Sequence, residues 1–425
     1  MMVTRALIPM WCNAMPTSRD RRTGHLSGLK GNVIVLGATA SLTYFAESMA
    51  YPYELLYLQA LGAPALAIGL LGSLASSLVL VSRLLGAYAA DSRGRKEVAV
   101  LATFGVALSY SVIAAAPCWW LAAVGVALVG AFSSLSLPAL QALTADSAAS
   151  GRRGLAYALV DTLPAALSVF APISAALLVE RSGLVQGVRL VYALGALLAL
   201  SAGLVRALWL EETLVRAPEP PSLSARLVSS VKGAIATPKG VQAPLLPLAV
   251  ALVVNSFEES MFRFMPLYVV GVAGIGETEW ALLSSIFFAV PLVAGIPLGL
   301  LVDSIGRRRS MLLAYALWVP ATIYFVQCRS TLEMALAFTA FSLGASLFNP
   351  AYQAMLADLA PREARGRVMG AVGALRLLAS IPASALAGLL YSEGPAYPFL
   401  LAAILGAANT AVVALLVEEP STHRE

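Results

Sequence analysis

The side chains of this 425-residue sequence with most scope for chemistry are ionisable groups set inside long apolar runs. Glu47 and Glu259 are the sharpest pair. The spacing Thr43, Glu47, Tyr51, Glu54 puts these residues on one face of a helix, and Asn255, Glu259 and Arg263 share a face in the same way. Glu258 points about 100° away from Glu259. A charge in such a run is costly unless it meets a partner or a wet cavity, so each one is a functional candidate. A carboxylate there can hold a proton and trade it for a cation. A static Glu259–Arg263 bridge along one helical turn is the rival reading of the second site. Arg83, Asp161 and Arg376 complete the set, and Arg376 is placed to meet an anionic solute group or Glu47. Glu54 reads as a group at the outer surface.

Other chemistries lack their residues. The only histidines are His25 and His423, both near the termini, and Cys12, Cys118 and Cys328 cannot build a disulfide framework. The sequence has no metal cluster, no thiol–imidazole pair and no phosphate-cradling Gly-x-x-x-x-Gly-Lys stretch. An enzyme, an ATP-driven pump and a cofactor are therefore not expected.

The elements that must position these groups are membrane spans. Hydrophobic residues make up 59% of the chain and charged ones 12%, about half the charged share of a soluble protein. About 20 apolar residues cross a bilayer core. Twelve such segments are expected, at 32–57, 66–90, 97–117, 119–143, 154–179, 187–209, 243–270, 279–302, 310–328, 332–357, 367–391 and 395–417. The fold class is an all-α integral membrane protein. Six-helix bundles occupy 32–210 and 243–417, joined by a linker at 211–242 and flanked by tails at 1–31 and 418–425. Of 28 Lys and Arg, Arg181, Arg189 and Arg329 fall in loops on one side and Arg83, Arg263 and Arg376 inside spans. The rest cluster on the side of the termini, which the positive-inside rule makes cytoplasmic. The net charge of +5 thus reports topology, and no nucleic-acid partner is expected. The apolar run from Ala6 to Cys12 is short and lacks a small-residue cleavage site, so it does not read as a signal peptide. Within the linker, 223–235 is a basic amphipathic piece suited either to the membrane surface or to a flexible tether.

The halves are copies of each other. Asp303 lies 212 positions after Asp91, and the same offset pairs Phe45, Glu47, Ser48 and Met49 with Phe257, Glu259, Ser260 and Met261. It also pairs Pro138, Gln141 and Asp146 with Pro350, Gln353 and Asp358, and Arg153-Gly154 with Arg365-Gly366. Such matching marks a tandem duplication.

The stretch Gly299-x4-Asp303-x2-Gly306-Arg307-Arg308 resembles the loop between helices 2 and 3 of major facilitator superfamily transporters. The first copy, with Asp91, Gly94, Arg95 and Lys96, departs from the pattern only where Ala87 replaces the opening glycine. The resemblance implies twelve helices around a mid-membrane site reached alternately from each side, a pattern for which nested repeats are already a known precedent. It also implies that helices 1 and 7, and hence Glu47 and Glu259, line the central cavity. Asp91 would reach across to Arg365–Arg367, and Asp303 to Arg153–Gly154, with Asp146 and Asp358 in the same gate. Family antiporters often carry Gly-Pro-x-x-Gly-Gly in helix 5; here Ala171-Pro172-x-x-Ala175-Ala176 keeps the proline and replaces the glycines.

The function expected is proton-coupled export of a small hydrophobic or cationic compound from a cell-membrane, multi-pass monomer. The partners are the solute, protons and the lipid bilayer. The alternatives are a carrier of anionic or neutral metabolites using Arg376 and Arg263, and a non-transporting receptor or scaffold with the same fold. Gln141 and Gln353 read as ties between helices rather than pathway residues.

Overall fold

A computed structural model describes residues 31–148, 153–214, 245–361 and 365–419 of the chain. Residues 223–235, Cys12, both histidines and most of the two tails lie outside the described residues. Six long helices precede the linker: α1 Gly31–Ala50, α2 Ala65–Ser92, α3 Arg95–Ala115, α4 Trp119–Ser147, α5 Gly154–Ser182 and α6 Leu184–Trp209. Six follow it: α7 Leu245–Gly271, α8 Glu277–Ile305, α9 Arg307–Phe325, α10 Thr331–Leu359, α11 Arg365–Glu393 and α12 Tyr397–Leu416. Eleven are long and apolar enough to cross a membrane. The twelfth, α9, opens with Arg307, Arg308 and Arg309 and continues as an apolar rod; its 19 residues span about 28 Å. The described residues contain no strand.

Prolines decide where helices break. The first span was expected to run to residue 57, but α1 ends at Ala50. Pro52 offers no backbone N–H and pushes Tyr51 away from helical geometry. The chain turns at 51–53 and restarts as the short helix Glu54–Ala60, so Glu54 does not continue the Glu47 face. In α7, Pro266 leaves the Phe262 carbonyl without its usual donor, and Phe262–Phe264 tightens into a 3-10 turn. In α5, a π turn spans Ala158–Thr162, α-helix resumes over Leu163–Ser168, and after a turn it restarts at Ala171 with Pro172 in its first turn. That π turn carries Asp161 and lays the Leu159 carbonyl against Gly37 of α1, 2.9 Å from where a β-carbon would stand.

The core is divided unevenly. At the end opposite the termini, one continuous apolar cluster joins both halves, from Tyr53 and Tyr57 to Phe264, Trp280 and Phe338. Toward the termini the halves keep separate clusters, one around Leu36, Leu143 and Leu210 and another around Leu248, Tyr315 and Met355. The halves are therefore fused at one end and split at the other.

Glycines set the closest helix contacts. A β-carbon on Gly86 of α2 would lie 2.1 Å from the Leu135 carbonyl oxygen of α4, and one on Gly69 of α2 would lie 2.6 Å from the Gly388 α-carbon of α11. The first contact lies within one half and the second between halves. Gly86→Val is expected to destabilise the fold by about 3 kcal/mol or the full capacity to fold, because two backbones must separate. Gly299→Ala, with open space around it, should leave the melting temperature of the purified protein unchanged. Equal melting of both variants would contradict this packing.

Candidate functional site

A cavity of about 650 Å³ opens between the halves, with Arg83 from the first half and Glu259, Arg263, Tyr352 and Arg376 from the second on its wall. Tyr51 also lines it, just beyond the end of α1. On α11, Gly373 borders this space, and neither it nor Gly370 has any atom within 4 Å of a β-carbon position. The opposite end is shut. Trp280 Nε1 donates to the Pro52 carbonyl at 2.6 Å, and Tyr53 OH donates to the Glu277 carbonyl at 3.4 Å. Ser73 Oγ donates to the Ile381 carbonyl at 2.5 Å, beside the Gly69–Gly388 contact.

The charges pair differently from the expected pattern. Arg263 does not bridge to Glu259 one turn away. The 3-10 turn carries it off that face, and its Nη2 meets Glu54 Oε1 at 3.3 Å. Glu54 is thus an internal partner, not an outer-surface group. Glu259 is held instead by Arg376, whose Nη2 donates to its two oxygens at 2.9 and 3.1 Å. The same guanidinium donates to Ser256 Oγ and Tyr352 OH, both at 3.1 Å, and to Asn255 Oδ1 at 3.4 Å. It lies 5.3 Å from the Tyr352 ring centre, a cation–π distance. Arg376 therefore meets Glu259 where Glu47 or a solute anion was expected. Glu47 is exposed on α1, one turn before Tyr51, and forms no ion pair among the described residues. Its titratable neighbours are Glu54, Tyr44 and Tyr110.

Two buried charges were given no role in the sequence reading. Glu258, on the far face of α7 from Glu259, is 6% exposed and accepts from Asn409 Nδ2 of α12 at 3.3 Å. Asn409 also donates to Tyr315 OH of α9 at 2.6 Å. The signal was present as polar residues in otherwise apolar stretches of α9 and α12. Arg206, counted above with the basic residues outside the spans, is 3% exposed inside the first half. Its Nε donates to Thr39 Oγ1 at 2.9 Å and its Nη1 to Thr103 Oγ1 at 2.6 Å. Gln141 and Gln353 are exposed, contrary to the expected role as helix ties.

At the termini end, the repeated loops form a matched pair of sites. Gly94 and Gly306 take φ of 134° and 95°, a region that favours glycine, and each precedes the helix start that its loop serves. Arg95 pairs with Asp146, and Arg307 Nη1 pairs with Asp358 Oδ2 at 2.7 Å. Both bridges join third and fourth helices of one half. Glutamates just past α6 and α12 complete each site. Glu212 Oε2 accepts from the Lys96 amide at 2.9 Å, while Glu419 accepts from the Arg307 and Arg308 amides at 2.7 and 2.8 Å. A carboxylate suits the positive end of a helix dipole. The repeated signal was Leu210-Glu211-Glu212 and Val417-Glu418-Glu419, which the sequence reading had left in the linker and at the start of the tail. Asp91, Asp303 and Arg365 are exposed, and Asp91 is engaged in an interaction. The side chains of Arg153 and Arg367 lie outside the described residues, and with them the cross-half contacts expected of Asp91 and Asp303. Cys118 and Cys328 are free.

The chain is similar to known transporters along most of its length. Residues 36–281 and 248–425 match the sequence model of the Major Facilitator Superfamily. An uncharacterized MFS-type transporter of Methanocaldococcus jannaschii is 24% identical over 383 residues, covering 89% of this chain and 92% of the relative. A multi-drug resistance efflux pump PmrA homolog of Lactococcus lactis is 27% identical over 332 residues, covering 76% and 78%. Among solved structures, a peptide transporter POT in complex with sulfate superposes with a TM-score of 0.72 at 16% identity, covering 92% of this chain and 94% of that one. A human organic anion transporter does so at 0.63 and 19% identity, covering 90% and 99%. At these identities the structural likeness shows the fold.

Proposed function

The chain belongs to the Major Facilitator Superfamily, and on that premise we propose that this multi-pass membrane transporter exports a hydrophobic or cationic solute in exchange for protons. It is a transporter and not an enzyme. One observation carries the finer reading: Glu259 and Glu54 are each neutralised by an arginine, whereas Glu47, exposed on α1 one turn before the cleft-lining Tyr51, has no ion pair among the described residues. A carboxylate without a fixed cation can bind a proton or a solute cation, and the two then compete. Exclusive occupancy by one or the other is what couples their movements. Glu259 serves as a second site, released when Arg376 changes partner. The similarity to a multidrug efflux pump homolog supports the direction.

With the termini in the cytoplasm, the split end faces inward and the fused end is the closed outer gate. The paired loops at Gly94–Arg95 and Gly306–Arg307 then act as the cytoplasmic gate of a monomer in the cell membrane. Their ion pairs bias the inward–outward equilibrium by a few kcal/mol at most.

A second reading has its own observation. Arg83, Arg263 and Arg376 line one cavity, an arrangement suited to an anionic metabolite. Liposomes containing the protein and an internal pH dye separate the two, challenged with cationic, neutral and anionic solutes. The exporter reading predicts proton movement triggered by cations, lost in Glu47→Gln. The anion reading predicts flux of anions, lost in Arg376→Ala and spared in Glu47→Gln.

A further inference from the structure

A second, smaller cavity lies inside the C-terminal half, beside the cleft. It measures about 250 Å³ and is walled by residues of α7, α8, α9, α10 and α12, with Tyr51 as its one contribution from the first half. Phe262, Phe287, Tyr315, Trp318 and Phe341 give it aromatic walls, and Glu258 supplies a carboxylate. Tyr51, Glu259 and Phe262 border both cavities, so the small one adjoins the cleft.

From this arrangement we infer that the aromatic cavity around Glu258 is a binding site for a small organic ammonium ion, or for the ammonium-bearing end of a larger one. Glu258 is 6% exposed and has no basic partner among the described residues; its side-chain partners are the neutral amides of Asn409 and Asn255. The nearby guanidinium of Arg376 is committed to Glu259. A buried carboxylate with no paired cation gains most from a cation brought in by a ligand. The walls suit the same ligand. Phe262 and Phe341 meet edge to face at 5.1 Å, and Tyr315 and Trp318 at 5.4 Å, holding the rings as rigid walls around the space. Ring faces attract a weakly hydrated ammonium, and they do so most strongly where water is excluded. An anion has no donor in this cavity comparable to the arginines of the cleft. The size excludes large solutes and admits a single ring carrying a trimethylammonium group.

This inference deepens the exporter reading by naming a subsite, and its test is independent of proton coupling. The full chain, purified in detergent, is titrated by calorimetry with benzyltrimethylammonium and with the anion of the same shape, phenylmethanesulfonate. Wild-type protein should bind the cation at least roughly tenfold more tightly than the anion. Glu258→Gln should weaken cation binding by roughly 30-fold. Ala345→Leu, which fills the cavity without touching a charge, should weaken it too. Cys118→Ser, outside both cavities, should bind it within about threefold of wild type. Should Glu258→Gln fail to fold, Ala345→Leu and the cation–anion comparison in the wild type decide the matter. Equal binding of cation and anion, or undiminished binding in Glu258→Gln or Ala345→Leu, would overturn the assignment. Failure in liposomes with binding intact would sink the exporter reading and leave this site standing.

Discussion

Glu47→Gln abolishes the exchange of solute for protons in reconstituted vesicles while the protein remains folded. The substitution keeps the shape of the side chain and removes both its charge and its titration. A solute cation arriving in the cleft then meets an amide, and loss of a desolvated ion pair costs about 3 kcal/mol, roughly 100-fold in affinity. The other carboxylates near the cleft do not replace it. Glu259 and Glu54 are each occupied by an arginine, with Arg376 held by Ser256 and Tyr352 as well. Glu259→Gln should therefore have the smaller effect on solute affinity, and it should loosen Arg376 from the α7 side of the cleft. The comparison is read from solute-driven proton flux and from equilibrium solute binding measured on the same preparations. Full coupling in Glu47→Gln would move the proton site elsewhere.

Gly388→Val, the second large effect, prevents the end opposite the termini from closing. The α2 and α11 backbones touch at Gly69 and Gly388, where a β-carbon on Gly388 would lie 2.7 Å from the Gly69 α-carbon. Backbone cannot give way as a flexible side chain can, so the helices must separate. The neighbouring Ser73–Ile381 bond would be lost with them. A penalty of about 3 kcal/mol shifts a two-state equilibrium by roughly 100-fold, enough to depopulate the closed state. Spin labels at positions 62 and 394 report the separation by pulsed electron resonance. The wild type should show a population with the two loops close, and the variant only the longer distance, with transport lost. An unchanged distribution would mean that this glycine contact does not set closure.

Much of the fold could be read from the sequence because it depends on two short-range quantities, span length and charge placement. Twelve apolar runs became twelve helices, and α9 was found despite the three arginines in its first turn. The duplication also showed that Glu47 and Glu259 occupy matching positions. Equivalent position did not mean equivalent surroundings, since Arg376 reaches one and no arginine pairs with the other. Helical spacing offered a Glu259–Arg263 bridge as the rival reading because it assumes an unbroken helix, and Pro266 breaks that assumption at Phe262–Phe264. Pro52 does the same to the α1 face, leaving Glu54 free to meet Arg263. Glu258 was passed over because its partner Asn409 is 151 residues away, a distance at which periodicity has nothing to say. The caps by Glu212 and Glu419 follow from chain reversal after α6 and α12, and only the repeated Glu-Glu hinted at them.

The most direct test of proton exchange at Glu47 is proton release on solute binding. Purified protein in weakly buffered detergent solution, with a pH-sensitive dye, is mixed with a saturating organic cation near neutral pH. Competition at Glu47 predicts that the wild type releases protons on binding, that Glu47→Gln releases none, and that Glu259→Gln still does. Binding without proton release in the wild type, or equal release in Glu47→Gln, would contradict it.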